Sequence, residues 1–358
     1  MLLLHMYINQ SLFVRWVDVC SEPFTVSNGV KQGGVLSPVL FCLYMDELLT
    51  RLVNSGVGCR IGHWFVGPFG YADDSSLLAP SCNGIRRMLQ ICTEFAAEYS
   101  LKFNSKKTVL LVYNASKQSN IQLYMDNSLL VQSDQASHLG CTIGSNIAAG
   151  NKSNVDKAIN DLVYRTNILM SRFGHCTTSV RLSLFDAFCT SYYGSPLWKL
   201  SVQDIDPFCV TWRKCMRRIL KLDCRMRSKY IPIVIDKPNI RTQLLCRFTN
   251  FWFKCFTSDN PIVHLCSKLS CFGGSIVACN LREVLSCVTF GLNHVLSLEC
   301  DAKIIVERLY EKEMSDRSDA DSAVCAVISE LCECRDQVSE CNLSLSDIND
   351  MLLQLAVT

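Results

Sequence analysis

Two adjacent carboxylates, Asp73 and Asp74, stand inside the run Phe69-Gly70-Tyr71-Ala72-Asp73-Asp74-Ser75-Ser76-Leu77-Leu78-Ala79, with β-leaning residues on both sides. The pattern predicts a strand-turn-strand hairpin that presents charge at its tip. Burying either anion bare costs several kcal/mol, so a buried pair calls for a cation. A divalent ion is suited to that role, because Mg²⁺ takes one or two carboxylates together with substrate phosphates. A solvent-exposed turn accounts for the same residues, since Asp is a favoured turn residue. The pair alone does not choose between the two.

The elements that must position this pair begin upstream. Gly29-Val30-Lys31-Gln32-Gly33-Gly34-Val35-Leu36-Ser37-Pro38-Val39-Leu40-Phe41 reads as a glycine-rich turn opening directly into a helix. Gln32, Gly33 and Gly34 either supply a turn that needs positive φ or let backbone approach a base pair or nucleotide with no Cβ in the way. Ser37 is expected to cap the helix, with Pro38 at its first position. That helix, Pro38–Asn54, is expected to bury Leu40, Phe41, Tyr44, Leu48 and Leu52 and to stop at Gly56 or Gly58. Asp46 and Glu47 fall on its solvated face. Before the turn, Leu12–Val26 predicts a hairpin around Ser21-Glu22-Pro23.

Beyond the carboxylates, Ile85, Met88, Leu89, Cys92, Phe95, Ala96 and Tyr99 share one helical face and predict a core helix. The loop Lys106-Lys107-Thr108 then leads to a strand over Val109–Tyr113, and Ile121–Gln132 predicts a hairpin turning at Asp126-Asn127. From about Asn151 the pattern is helical: Val155, Ile159, Leu162 and Val163 mark one helix, and Thr178 is expected to cap another running through Leu182, Phe185 and Phe188. Residues 213–229 carry eight Lys or Arg against one acid, Asp223. Arg213, Arg217 and Lys221 recur there at helical spacing beside Trp212. Such a stripe suits a phosphate backbone, and equally a solvated basic helix.

The 358 residues allow two or three domains and a sizeable core. With 49% hydrophobic and 19% charged residues, the composition excludes a disordered chain. Net charge is +2, yet residues 301–358 hold 13 Asp/Glu against 5 Lys/Arg, a net of −8, which leaves +10 on the preceding 300. A basic body with an acidic tail suits a polyanionic partner for the body. The helical tail Ile304–Leu355 is expected to bind an unidentified partner or merely to solubilise. The 22 cysteines follow no regular framework and read as reduced, intracellular and mostly core-filling. No convincing leader or apolar run of membrane length is evident. His264, Cys266, Cys271 and Cys279 lack the spacing of a compact zinc site.

In order and separation, Gln32-Gly33-Gly34-Val35-Leu36-Ser37-Pro38 followed by Tyr71-Ala72-Asp73-Asp74 resembles the palm of a reverse transcriptase, nearest the non-LTR, LINE-type retrotransposons. The resemblance runs from about Val14 to about Trp198. It implies an α+β fold: a partial palm of antiparallel sheet and packed helices (1–145), a helical thumb-like region (146–240) and a helical C-terminal region with the acidic tail (241–358). It implies RNA-directed DNA polymerase activity on an RNA template, a DNA primer and deoxynucleoside triphosphates, with Mg²⁺, or Mn²⁺ in its place, on Asp73 and Asp74. Gln32, Gly33, Gly34, Ser37 and Tyr71 would meet template or nucleotide. Lys106 or Lys107 would face the triphosphate, with the choice between them open. Arg213, Arg217 and Lys221 would follow the nucleic-acid backbone. His138-Leu139-Gly140-Cys141 resembles the primer-grip segment.

The two-metal mechanism places its ions roughly 4 Å apart, and the family holds them with three carboxylates. The third, an Asp, stands on an earlier strand, but the only Asp before Gly29 here is Asp18, in a different context. Gly67-Pro68 and Gly70 also interrupt a strand that the family keeps apolar. The expectation is a chain that begins partway through its palm, binds metal weakly and is inactive alone. A non-catalytic remnant that holds RNA or RNA–DNA hybrid, or a decayed element copy without a role, would look the same.

Overall fold

The computed structural model describes residues 7, 10–26, 29–113, 121–288 and 301–315, so part of the acidic tail lies outside the described residues. The described chain mixes helices and short strands and falls into two compact units that divide between Ser133 and Asp134.

In the first unit, β1 (Gln10–Leu12) pairs antiparallel with β4 (Phe24–Val26), and nested inside them β2 (Arg15–Trp16) pairs with β3 (Val19–Cys20). A hairpin forms over this stretch as expected, but it turns at Val17-Asp18 and not at Ser21-Glu22-Pro23, which lie between β3 and β4. Its apolar side chains stay in solvent, and Trp16 is 79% exposed. Helix α1 (Ser37–Asn54) follows, and Gly56 at φ +67° ends it. Its core face is Met45, Leu48 and Leu52, with Leu40, Phe41 and Tyr44 half-buried. Asp46 and Glu47 are exposed as expected, and Glu47 pairs with Arg51 at 2.5 Å.

Four short strands follow: β5 (Arg60–Ile61), β6 (Trp64–Phe65), β7 (Pro68–Tyr71) and β8 (Asp74–Leu77). Helix α2 (Cys82–Glu98) is capped by Ser81, whose hydroxyl accepts from the Gly84 amide at 3.1 Å. Of the predicted face it buries Met88, Leu89, Cys92, Phe95 and Ala96 and leaves Ile85 and Tyr99 half-buried, and it adds Ile91, which the periodicity did not select. This stripe meets Leu48 and Leu52 of α1 in one core, which Leu123, Met125 and Leu130 close. The last three belong to the hairpin of β10 (Tyr124–Met125) and β11 (Ser128–Leu129) or stand beside it. Its turn residues Asp126 and Asn127 both take positive φ, +48° and +61°, as a type I′ turn requires.

The strand expected over Val109–Tyr113 is shorter, β9 (Val109–Leu110), and it pairs in parallel with β12 (Val131–Gln132). Where one antiparallel sheet was expected, the described residues hold seven two-stranded ladders, six of them antiparallel. Each is two to four residues long.

The second unit opens with the hairpin β13 (Gln135–His138) and β14 (Cys141–Gly144) and continues in helices. These are α3 (Ile147–Phe173), α4 (Thr178–Cys189), α5 (Val202–Leu220), α6 (Ile231–Val234), α7 (Ile240–Phe256), α8 (Pro261–Leu269), α9 (Ile276–Cys287) and α10 (Ala302–Ser315). Val155 and Leu162 of α3 are buried, whereas Val163 is exposed. Thr178 is the first residue of α4 and not its cap: Thr177 stands at the cap, and the Thr178 hydroxyl accepts from Arg181 at 2.8 Å. Phe185 is buried and Phe188 exposed.

One hydrophobic core runs from Val155 to Leu309. It includes Trp198, Phe208, Trp212 and Trp252, with Ile305 and Leu309 of the acidic segment. The first stretch of the tail is therefore a packed helix. Asn280, fully buried, accepts from the Leu200 amide and donates to the Trp198 carbonyl, each at 2.8 Å, and ties α9 to the loop before α5. Among the described residues no helix is long and apolar enough to cross a membrane.

Candidate metal and nucleic-acid site

β7 and β8 pair from Pro68↔Leu77 to Tyr71↔Asp74, so Ala72 and Asp73 form the two-residue tip and Asp74 opens the returning strand. Ala72 takes φ +52°, a left-handed conformation that costs an L-residue about 1–2 kcal/mol. Tyr71, Asp73 and Asp74 are all exposed. Exposure removes the burial argument for a cation: water can solvate both carboxylates. The base of the hairpin is held firmly. The Leu78 amide donates to the Gly67 carbonyl at 2.7 Å, and the Cys59 amide donates to the Leu78 carbonyl at 3.0 Å. Gly70, an interruption by sequence, has a local reason: a Cβ there would lie 3.1 Å from Leu49 Cδ1 of α1. The helix thus rests directly on the carboxylate-bearing hairpin.

As a donor set for metal the pair is hard and anionic, which suits Mg²⁺. It is short of a two-ion site. Among the described residues no third His, Cys, Asp or Glu joins Asp73 and Asp74. Asp18 lies exposed in the β2–β3 turn after Val17, itself at φ +54°.

The glycine-rich turn is built from its own backbone. Gly33 takes φ +80°, and the Gly34 amide donates to the Lys31 carbonyl at 3.0 Å. The Ser37 hydroxyl donates to that same carbonyl at 2.5 Å. Ser37 is therefore inside the helix and buried, with Leu36 at the cap position. The expected cap fails because the turn leaves the Lys31 carbonyl within reach of the hydroxyl. Gly34 has no room for a side chain, since a Cβ would meet Ser37 Oγ at 2.6 Å. Gln32 and Gly33 are exposed at the surface of the turn.

Lys106 and Lys107 are exposed in a loop organised by Asn104, whose side-chain oxygen accepts from their amides at 3.1 and 3.3 Å. His138 pairs with Cys141 across a turn in which Leu139 and Gly140 take φ +48° and +78°. Two residues that sequence reasoning missed fix this turn. Tyr193 donates to the Leu139 carbonyl and Lys157 Nζ donates to the Gly140 carbonyl, both at 2.9 Å. A contact 54 residues away leaves no local signal.

The basic stripe is partly consumed by the fold. Arg217 donates to the Met226 carbonyl at 3.0 Å and to Ser228 Oγ at 2.6 Å, clamping the loop after α5. Arg213 faces Asp206 at 3.8 Å, and Lys221 closes the helix in the left-handed region at φ +53°. On α5 the exposed cations are Lys214 and Arg218, the latter donating to Asn167.

Of the 17 described cysteines, all free thiols, six are buried and five exposed, so core filling explains only a minority. Burial pushes the Cys92 and Cys246 thiols up to about 12 and Cys209 to about 11, which keeps them protonated and inert. His264 Nδ1 lies 2.5 Å from the Phe256 carbonyl, a structural contact.

Comparison with known proteins supplies the family context. Residues 3–143 match the family model described as reverse transcriptase (RNA-dependent DNA polymerase). Over 87 residues the chain is 39% identical to the Retrovirus-related Pol polyprotein from type-2 retrotransposable element R2DM of Drosophila melanogaster, a match covering 24% of this chain and 8% of that protein. Corresponding polyproteins from type-1 retrotransposable element R2 match at 33% identity over 116 residues in Popillia japonica and 30% over 115 in Nasonia vitripennis. Those matches cover 31% and 32% of this chain and 16% and 11% of the relatives. The chain thus spans a small fraction of the length of the curated relatives it matches.

Proposed function

We propose, from the premise that residues 3–143 belong to the reverse transcriptase family of non-LTR retrotransposons, that this chain is part of an RNA-directed DNA polymerase. The observation that carries the reading is the Asp73-Asp74 tip on a hairpin packed against the helix that the Gln32-Gly33-Gly34 turn opens. In this reading residues 1–145 are a partial palm, 146–240 a thumb-like region and 241–358 a helical C-terminal region.

Asp73 and Asp74 form one edge of a metal site for Mg²⁺ or Mn²⁺. Gln32, Gly33, Gly34, Ser37 and Tyr71 belong to the surface facing template and incoming nucleotide, with Ser37 acting through the turn it braces. Lys106 and Lys107, both exposed, are available to a triphosphate. No third carboxylate joins the pair among the described residues, and the isolated chain is expected to be inactive. The test is primer extension on an RNA template, by the chain alone and by the chain joined to a strand that supplies an Asp between apolar residues. Extension only by the joined protein supports the reading; none from either overturns it.

The incomplete donor set also favours a second reading, in which the chain holds RNA or RNA–DNA hybrid without catalysis. Arg213, Arg217 and Lys221 are its backbone contacts by sequence; the fold engages Arg217 with Met226 and Ser228 and Arg213 with Asp206, and the exposed cations of α5 are Lys214 and Arg218. Each phosphate neutralised on a single strand contributes roughly 0.7 to the slope of log affinity against log salt. The double variant Lys214→Ala with Arg218→Ala is expected to lower that slope by about 1.4 on single-stranded RNA. Binding indifferent to salt in the parent chain would count against it.

A further inference from the structure

Residues 213–229 hold eight Lys or Arg against the single acid Asp223, a net of +7. The fold does not cancel this charge. Arg217 and Arg218 donate to carbonyl, hydroxyl and amide oxygens, which are neutral, so those bonds leave both charges in place. Asp223 meets Arg225 at 3.2 Å, and Asp206 faces Arg213 at 3.8 Å. Lys214, Arg218, Arg225, Arg227 and Lys229 are all exposed, along the end of α5 and the loop after it. Such a surface gathers anions within a Debye length, about 10 Å at 0.1 M salt.

The chain carries an anionic counterpart. Residues 316–358 hold nine Asp or Glu against two Arg, a net of −7. They follow directly on α10, whose Ile305 and Leu309 are fixed in the helical core. Near its end, Glu313 accepts from the Asn239 amide at 2.5 Å. Glu313 also lines one cavity with Arg213, Ser228 and Lys229, so α10 ends at Ser315 beside the basic stretch. The acidic segment therefore starts next to a surface of equal and opposite charge.

We propose that residues 316–358 dock on the basic face formed by the end of α5 and the loop 221–229, and hold it against other polyanions. An exposed ion pair contributes little alone. Tethering changes the balance. At an effective concentration of about 1 mM, contacts with an intrinsic dissociation constant of about 0.1 mM keep the face roughly nine-tenths occupied and lower the affinity of a competing polyanion about tenfold. The docking itself needs no nucleic acid; only its consequence for RNA rests on the nucleic-acid reading above.

The first arm of the test is carbodiimide cross-linking of the full chain, which joins a lysine Nζ to a carboxylate, with loss of water, where the two are in contact. Cross-links from Lys214, Lys221 or Lys229 to residues 316–358 are expected at low salt. They should vanish at 1 M salt, where the Debye length is about 3 Å. Mixing isotope-labelled with unlabelled chains separates a chain's own segment from a neighbour's. In the second arm every Asp of residues 316–358 is changed to Asn and every Glu to Gln, which leaves the core described above untouched, and inorganic polyphosphate is the probe. This neutral-tail protein is expected to bind polyphosphate about tenfold more tightly than the parent.

No cross-link to this stretch, cross-links spread evenly onto Lys106 and Lys107, cross-links only between chains, or equal polyphosphate affinity would each overturn the proposal. RNA binding that depends on salt but is identical with either tail sinks this proposal alone. A neutral-tail protein that gains affinity for polyphosphate yet binds no RNA sinks the nucleic-acid reading and leaves the docking in place.

Discussion

Asp73→Ala is expected to lower primer extension by at least about a thousandfold in a protein that joins this chain to a strand supplying the third carboxylate. The magnitude follows from the several kcal/mol that metal-held charge contributes to such a reaction, at roughly 1.4 kcal/mol per tenfold. Asp73 occupies the second tip position of the β7–β8 turn, paired with no other strand, so its side chain has no structural duty that the substitution would remove. It is exposed, and no core residue touches the change. Folding, read by circular dichroism, should therefore be unaltered while extension disappears. Extension within tenfold of the parent would remove Asp73 from the reaction.

Arg181→Met should destabilise the helical unit by about 3–5 kcal/mol. Arg181 is fully buried in α4. Its Nε donates to the Ile219 carbonyl at 2.7 Å, and its terminal nitrogens donate to the Cys176 carbonyl and to Thr178 Oγ1. The guanidinium thus meets the C-terminal end of α5, where the helix dipole favours a cation. Methionine fills similar volume but leaves the buried Ile219 carbonyl without this donor, a desolvation cost of about 1–3 kcal/mol, and also strips the half-buried Cys176 carbonyl and the Thr178 hydroxyl of theirs. Urea unfolding followed by tryptophan fluorescence reads the effect, because Trp198, Trp212 and Trp252 are buried in the same core. Loss of less than 1 kcal/mol would show that other donors take over these carbonyls.

What could be read from the sequence was what short-range rules govern. The α2 face from Met88 to Ala96 follows from 3.6-residue periodicity, and the Asp126-Asn127 hairpin from its need for two positive φ values. The Asp73-Asp74 hairpin was legible for the same reason, and its motif order pointed to the family that residues 3–143 match. Whatever depends on distant partners was not. Ser37 reads as a cap until the Lys31 carbonyl is seen within reach of its hydroxyl. Arg217 reads as a solvated cation until the chain returns with Met226 and Ser228 beneath it. Arg181, Asn280 and Tyr193 give no sequence signal, since each earns its place through a contact between 38 and 82 residues away.

The carboxylate pair is the centre of the account, and Mn²⁺ binding to the intact chain tests it most directly. Paramagnetic broadening of backbone amides, titrated with Mn²⁺, locates the ion and gives its affinity together. The prediction is weak binding, about millimolar, centred on residues 71–75 and lost in the double variant Asp73→Asn with Asp74→Asn. Broadening centred elsewhere, or unchanged in the double variant, would contradict the assignment of this hairpin as a metal-holding edge.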